Sequence, residues 1–247
     1  MLETYEKSFT IRSSEVDIYG LCRPSALMGF LQDLATEHSQ VLGIQQSYLT
    51  AEYHAAWILV RAWYRLDSPI RQDESVTIRT WHRGNNGAKS YRDYDIYANG
   101  QRVGESVASW ILANLDTHKL MRLSGVEEMA ATSGGSLCKT ITLSKLRAPA
   151  ELQEVERRLM RYSDTDINGH VNNTRYADFA CDALDLVGLE EDRFLSTMQI
   201  GYLAECRPGE YITMETGDLE EGRYVRGLDK MGKPRFEASL IFGKVSP

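Results

Sequence analysis

The chain has 247 residues, of which 43% are hydrophobic and 26% charged, and its formal net charge is −7. This composition excludes an intrinsically disordered protein, and no apolar run reaches the roughly 18 residues that a membrane span needs. The acidic balance argues against a nucleic-acid partner. The four widely spaced cysteines and the lack of an N-terminal secretory signal favour a reducing, cytoplasmic location.

The sequence of the first half of the chain predicts a helix followed by strands. Pro24 suits the first position of a helix that ends near Gly43, and its apolar residues recur about once per turn. Strand-like segments follow at residues 56–60, 76–81 and 102–115, with a hairpin turn at Gly100 before the last of them. Residues 116–159 look like a connection.

The second half repeats this order. Asn172 or Asn173 suits the N-cap of a second helix of similar length that ends near Gly188. The apolar stripe of this helix comprises Tyr176, Ala180, Ala183, Leu184 and Val187. A turn at Gly232 precedes a strand at residues 234–242, as Gly100 does in the first half.

A short internal repeat supports a duplication. Residues 17–20 (DIYG) recur 149 positions later as residues 166–169 (DING), each ahead of a predicted helix. One long helix against an antiparallel sheet, present twice, predicts an α+β fold. The arrangement resembles a tandem (double) hot-dog fold, with two antiparallel sheets that each wrap a long central helix. We expect an N-terminal domain at residues 1–131, a linker at 132–154 and a C-terminal domain at 155–247.

The densest polar segment surrounds the second copy of this repeat. In an extended segment, Asp166, Asn168 and His170 would project to one side, and an acid, an amide and an imidazole ahead of a helix suit acyl chemistry. The alternative interpretation is a turn, because Asn-Gly and Asp favour turns and caps. The first copy has Asp17, Tyr19 and Leu21 at the corresponding positions, so only the second half retains the amide and the imidazole.

A second candidate group is Glu205 with Cys206. Aligning residues 76–78 with residues 212–214, an offset of 136, places Pro69 opposite Glu205. On a strand, Glu205 and Cys206 would point to opposite faces. Glu205 is equally explained as an exposed carboxylate and Cys206 as a small buried hydrophobe. A zinc site made of these two residues and His170 lacks the usual ligand spacing.

At these residues the sequence resembles the acyl-acyl carrier protein thioesterases of plant plastids and their bacterial relatives. The family strip Asp-x-Asn-x-His-Val-Asn-Asn is matched by residues 166–173, and its aromatic residue followed by Glu-Cys is matched by Tyr202, Glu205 and Cys206. The segments 57–61, 80–81 and 110–117 resemble further landmarks, whereas Gly169 replaces the usual glutamine. The resemblance implies a double hot-dog hydrolase of fatty acid biosynthesis that needs no metal or organic cofactor.

The resemblance also implies roles for the site residues. Glu205 with His170 would activate water or protonate the leaving thiol, Asn168 and His170 would position the thioester carbonyl, and Asp166 would orient its neighbours. Cys206 as a nucleophile activated by His170 is the second choice, because strand alternation favours an inward-facing Glu205.

The resemblance implies that the substrate is a fatty acyl thioester of an acyl carrier protein. Such a substrate requires an apolar tunnel for the acyl chain and a docking surface for the acidic carrier protein. Tunnel candidates in the first half are Leu27, Met28, Leu31 and Trp57, each of which is equally well explained as a core residue. The most basic stretch comprises Lys139, Lys145, Arg147, Arg157, Arg158 and Arg161, although a solvated face explains it equally well.

Other functions on the same fold stay open. These are an acyl-CoA thioesterase, a hydratase or dehydratase of 3-hydroxyacyl thioesters, and a non-catalytic acyl-binding module. A passive module would not need the polar groups of the second half. A homodimer is possible, although a tandem unit already supplies the pairing that single hot-dog subunits gain by dimerising.

Overall fold

The computed structural model describes residues 4–126 and 134–245. Within these ranges the helices are α1 (Pro24–Val41), α2 (Gln46–Tyr53) and α3 (Arg175–Ala183), and none of them is long and apolar enough to cross a membrane. The strands are β1 (Tyr5–Thr10), β2 (Ala55–Leu66), β3 (Ser75–Asn86), β4 (Lys89–Ala98), β5 (Gln101–Asn114), β6 (Gln153–Leu159), β7 (Arg193–Tyr202), β8 (Tyr211–Asp218), β9 (Arg223–Leu228) and β10 (Pro234–Lys244).

The chain divides into two compact units whose segments alternate along the sequence. Unit 1 contains Met1–Thr10, Gly29–Ala62 and Glu74–Leu143. Unit 2 contains Ile11–Met28, Trp63–Asp73 and Ser144–Pro247. Two segments of the first half therefore pack with the second half. The expected domain boundary at residue 131 lies outside the described residues.

Unit 1 contains an antiparallel sheet with a helix against it. β1, β3, β4 and β5 pair in that order, and β2 lies next to β5. The hairpin between β4 and β5 turns at Asn99 and Gly100, whose φ angles of 50° and 82° fit a tight two-residue turn. α1 packs on this sheet through Phe30, whose ring stacks on Phe9 at 4.6 Å. The predicted hairpin at Gly100 is confirmed.

Unit 2 repeats this arrangement with its own strands. Its sheet has the order β7, β10, β9, β8 and β6, paired antiparallel, and α3 packs against β8, β9 and β10. The ring centroids of Tyr176 on α3 and Phe236 on β10 are 5.0 Å apart. A Cβ on Gly227 would lie 2.4 Å from the ring of Phe236, so a side chain there would collide with this ring. The predicted α+β class is confirmed.

The predicted second helix is wrong in length. α3 has nine residues, not about twenty, because Asp185 adopts a left-handed φ of 50° and a short 3₁₀ turn follows it. The stripe holds only in part: Tyr176 and Ala180 are buried, but Val187 is 71% exposed. The helix begins after Thr174, so neither predicted N-cap occupies that position.

Part of the predicted connection between the halves is also wrong. Gln153–Leu159 forms β6, which pairs with β8 at the edge of the unit 2 sheet. Its sequence, QEVERRL, is largely exposed and charged. Charged side chains are typical of edge strands, and they remove the apolar alternation by which a strand is detected in a sequence.

Candidate active site

Residues 166–170, here called the second turn, form a closed loop and are not extended. The backbone N–H of Asp166 donates to the carbonyl of His170 at 2.9 Å, and Gly169 N–H donates to the carbonyl of Asp166 at 3.0 Å. The Asp166 carboxylate accepts the N–H of Asn168 at 2.8 Å. Gly169 has a φ of +73°, which glycine adopts without strain. The expectation that an extended segment aligns these side chains is wrong, because the carboxylate and the glycine favour a turn.

Residues 17–21, here called the first turn, make the same bonds. The Asp17 carboxylate accepts the N–H of Tyr19 at 2.9 Å, and the N–H of Asp17 donates to the carbonyl of Leu21 at 2.8 Å. Gly20 has a φ of +72°. The aspartate therefore shapes the turn in both halves, and the side chains that differ are those at the positions of Asn168 and His170.

Glu205 reaches the second turn through a loop that follows β7. The strand ends at Tyr202, so Glu205 and Cys206 are not on a strand as assumed. The backbone N–H of Val171 donates to the carbonyl of Cys206 at 2.8 Å. In the first half the N–H of Cys22 donates to the carbonyl of Ile70 at the same distance, which supports the pairing of Pro69 with Glu205.

The two loops place an imidazole beside a carboxylate. Nε2 of His170 lies 3.2 Å from Oε2 of Glu205, and Oε1 of Glu205 accepts a bond from Arg207 at 2.8 Å. Arg235 donates to the backbone carbonyl of Glu205 at 2.8 Å and pairs with Asp229. The His170 and Glu205 side chains are 31% and 51% exposed, so water and a substrate carbonyl can reach both. Such a pair can accept a proton from water and pass it to a leaving group.

Asn168 and Cys206 differ in access. Asn168 is exposed at the tip of the second turn, and its side-chain amide bonds to none of the described residues. Cys206 is 0% exposed, and burial raises the pKa of its thiol, an effect that a hydrogen bond with Tyr176 opposes.

The described residues include no group of three histidine, cysteine or acidic side chains placed to hold a metal ion. Asp166, Asn168, His170 and Glu205 are called the site quartet below.

The four tunnel candidates are distributed over two places. Leu27, Met28 and Leu31 are buried along α1, and Leu27 lines a cavity in unit 2. Trp57 is half-buried in unit 1, where its ring nitrogen donates to the carbonyl of Ile44 at 3.4 Å. Their common role in an acyl tunnel stays a prediction.

Arg207 is a residue of this site that the analysis of the sequence missed. It lies two positions after Glu205 and supplies the counter-charge of that carboxylate. An arginine directly after the Glu-Cys pair was the available signal. The sequence did not predict the contact of Arg207 with Glu205. On the assumed strand, residues at i and i+2 lie on the same face but need not form an ion pair.

Asn172 has a structural role that can be measured. Its side-chain oxygen accepts the N–H and the hydroxyl of Thr174 at 2.9 and 2.7 Å, and its carbonyl accepts the N–H of Arg175 at 3.0 Å. Replacing Asn172 with alanine should cost about 1 kcal/mol of unfolding free energy, in the range of lost helix caps. Chemical denaturation measures this.

The matched control is Asn173→Ala. Asn173 uses its backbone carbonyl, which accepts the Tyr202 hydroxyl at 3.2 Å, and that contact survives the substitution. We expect a smaller loss of stability than for Asn172→Ala. Equal losses for both variants would show that the side-chain bonds of Asn172 do not stabilise the start of α3.

Comparison with known proteins assigns the chain to a family. The family model of the acyl-ACP thioesterase N-terminal domain matches residues 2–131, and that of the C-terminal domain matches residues 148–233. Oleoyl-acyl carrier protein thioesterase 2 of Arabidopsis thaliana is 23% identical over an alignment of 229 residues that covers 85% of this chain and 61% of that protein. Dodecanoyl-[acyl-carrier-protein] hydrolase of Cinnamomum camphora is 23% identical over 241 residues, covering 88% and 61%. The chain thus spans about three fifths of the length of these relatives.

Solved structures show the same fold. An acyl-ACP thioesterase from Bacteroides thetaiotaomicron superposes with a TM-score of 0.88 at 22% identity over 98% of both chains. The 12:0-ACP thioesterase from Umbellularia californica gives 0.80 at 18% identity over 99% of this chain and 98% of its own. The predicted double hot-dog fold is confirmed. With both family models matched, the chain belongs to the acyl-ACP thioesterase family.

Proposed function

We propose that the protein hydrolyses the thioester of a fatty acyl carrier protein and releases free fatty acid. The observation that carries this proposal is the pairing of His170 with Glu205 at 3.2 Å in two water-accessible loops. The oleoyl and dodecanoyl relatives act on carrier-bound acyl chains, by their names, and this chain matches both domain models of the acyl-ACP thioesterase family. A carrier-bound substrate supports a role in fatty acid biosynthesis.

In the proposed reaction, Glu205 takes a proton from water as the water oxygen attacks the thioester carbonyl carbon. His170 and Asn168 position the carbonyl. The carbon–sulfur bond then breaks, and the proton returns through His170 to the departing thiolate. Arg207 holds the carboxylate of Glu205 in place, and Asp166 keeps the second turn closed. No metal or organic cofactor takes part in these steps.

Cys206 serves as a packing residue in this mechanism. Its thiol is buried, and its raised pKa disfavours the thiolate that a nucleophile needs. We expect Cys206→Ala to keep turnover within about twofold of the unchanged protein, since a nucleophile would be worth far more. Abolished turnover with an unchanged melting temperature, together with an acyl-cysteine trapped in the unchanged protein, would instead identify Cys206 as the nucleophile.

The proposed docking surface for the carrier is smaller than the basic stretch of the sequence. Lys139 pairs with Asp95 and Glu105, and Arg158 pairs with Glu156 and Asp182. Among the described residues, the exposed basic side chains of this stretch without an ion pair are Lys145, Arg147, Arg157 and Arg161. Arg157 lies over the ring of Tyr211 at 4.8 Å. These cations suit an acidic carrier.

Reversing Lys145, Arg147 and Arg161 to glutamate together should raise KM for the carrier thioester about tenfold at low salt, since each exposed pair is worth up to about 1 kcal/mol. The effect should shrink at high salt, because the Debye length falls from about 10 Å at 0.1 M to about 3 Å at 1 M. Steady-state kinetics at both salt concentrations measure it. An equal rise in KM at both would count against electrostatic docking.

The deciding experiment measures free-thiol release from matched acyl-carrier and acyl-CoA thioesters of several chain lengths. Preferential cleavage of the carrier thioesters supports the proposal, whereas preference for CoA makes the protein an acyl-CoA thioesterase. Enoyl absorbance without free thiol would identify a hydratase or dehydratase. Binding without turnover would identify a non-catalytic module.

We extend the proposal to the organisation of the protein. Residues 1–131 would bind the acyl chain, and residues 155–247 would carry out catalysis. This division follows because the site quartet lies wholly in the second segment. The four free cysteines suit a reducing, cytoplasmic location.

A further inference from the structure

Unit 2 contains a cavity of about 460 Å³, within the range of about 300–1,000 Å³ typical of ligand pockets. Its wall comes from residues 17–27, 64–70 and 175–195, all of which belong to this unit. No member of the site quartet lines it. The cavity is therefore separate from the candidate active site.

The cavity lies at the first-half counterpart of that site. Tyr19, Leu21 and Pro69 contribute to its wall, and they correspond to Asn168, His170 and Glu205. The correspondence rests on equal backbone bonds: the first turn closes as the second turn does, and Cys22 N–H bonds to the carbonyl of Ile70 as Val171 N–H bonds to the carbonyl of Cys206. The duplication thus provides a second site of similar construction with different side chains.

These side chains cannot perform the proposed hydrolysis. Leu21 and Pro69 have no group that takes or gives a proton. The Tyr19 hydroxyl is bonded to the carbonyls of Val187 and Leu189 at 2.6 and 2.9 Å. The steps proposed for the site quartet are therefore not available to a ligand in this cavity.

The inner wall selects an apolar ligand. Its buried members are aliphatic or aromatic, apart from one phenol hydroxyl, and they are Leu21, Leu27, Tyr64, Leu66, Ile70 and Phe194. A single alkyl chain would be stabilised there because its apolar surface is removed from water.

The charged side chains at the rim of the cavity determine which charge on a ligand's polar end is favoured. Four carboxylates line the cavity, and three of them are bonded within the protein. Asp17 accepts backbone N–H groups of the first turn, Asp178 bonds to Arg175, and Asp182 bonds to Arg158 at 2.6 Å. The exposed guanidinium of Arg23 has no ion pair within the part of the chain that the structure describes. A single carboxylate suits this cation, whereas a polyanionic head group such as that of CoA would be repelled by the exposed carboxylate of Asp185.

We propose that this cavity is a non-catalytic binding site for a fatty carboxylate, with the alkyl chain inside and the head group at Arg23. The proposal goes beyond the hydrolysis proposed above and does not depend on it, since binding here uses none of the site quartet.

The test uses the full chain and dodecanoate labelled with ¹³C at the carboxyl carbon. By NMR titration, a bound carboxyl signal should appear in the unchanged protein and persist in His170→Ala. The same signal should be lost in Leu186→Trp, which fills the cavity from a half-buried wall position. Arg23→Glu, an exposed change, should weaken binding at this signal at least about tenfold, because a charge-assisted bond becomes a repulsion.

The control Lys230→Glu reverses an exposed cation of unit 2 that does not line the cavity, and it should leave the dissociation constant within about twofold. Three results would overturn the proposal. These are the lack of a bound signal in the unchanged protein, a signal that survives both Leu186→Trp and Arg23→Glu, and tighter binding of dodecyltrimethylammonium than of dodecanoate. Hydrolysis is measured separately, so loss of activity in His170→Ala does not affect this outcome.

Discussion

Replacing His170 with alanine is expected to lower kcat/KM for an acyl-carrier thioester by about 10²–10⁴-fold, the usual contribution of a positioned acid or base. The imidazole lies 3.2 Å from the Glu205 carboxylate and is partly exposed in the second turn. The turn is closed by backbone bonds and by the Asp166 carboxylate, so it does not need the ring. Free-thiol release measures the rate, and thermal unfolding followed by circular dichroism checks that the fold is retained.

His54 provides a matched control. Its Nδ1 lies 3.7 Å from a carboxylate oxygen of Asp116, so it too is a histidine beside an acid, but both side chains are about 70% exposed and lie in unit 1. Because His54 has a φ of 48°, asparagine is the suitable substitution. His54→Asn should leave turnover within about twofold. A His170→Ala variant that keeps most of its turnover would remove the imidazole from the mechanism.

The sequence grouped Glu205 with His170 through the resemblance of their two motifs to the family, and the offsets between the halves placed Glu205 opposite Pro69. The offsets could do so because backbone pairing depends on the spacing of residues more than on their side chains. The offsets of 149 and 136 between the halves reappear as equal hydrogen bonds, from Cys22 to Ile70 and from Val171 to Cys206. The confinement of the polar side chains to the second half was predictable for the same reason. Aligning the two copies shows which side chains differ between turns that have the same backbone bonds.

Other features depend on contacts that a local pattern does not contain. α3 ends early because Asp185 takes a left-handed conformation, although its apolar spacing continues to Val187. The segment Trp63–Asp73 packs with unit 2, far from its neighbours in the sequence. The sequence allowed either an extended segment or a turn at residues 166–170. The bond between the Asp166 carboxylate and the N–H of Asn168 stabilises the turn.

Replacing Glu205 with glutamine is expected to lower kcat by about 10²–10⁴-fold with a smaller change in KM. The amide keeps the shape of the side chain and can still accept a bond from Arg207, but it cannot take a proton from water. The carboxylate now contacts both Arg207 and His170, so the substitution separates the basic function of Glu205 from its packing. Single-turnover measurements of thiol release report the chemical step directly.

Glu210 is the control for this loop. Its carboxylate accepts the backbone N–H of Arg207 at 2.9 Å, and a glutamine oxygen can accept the same bond, so Glu210→Gln should retain turnover within about twofold. A second variant tests the chemistry: in Glu205→Ala, added formate should restore part of the rate as its concentration rises, since a small carboxylate can enter the space left open. If Glu205→Gln turned over at the original rate, the carboxylate would serve only to hold Arg207, and His170 would have to activate water alone.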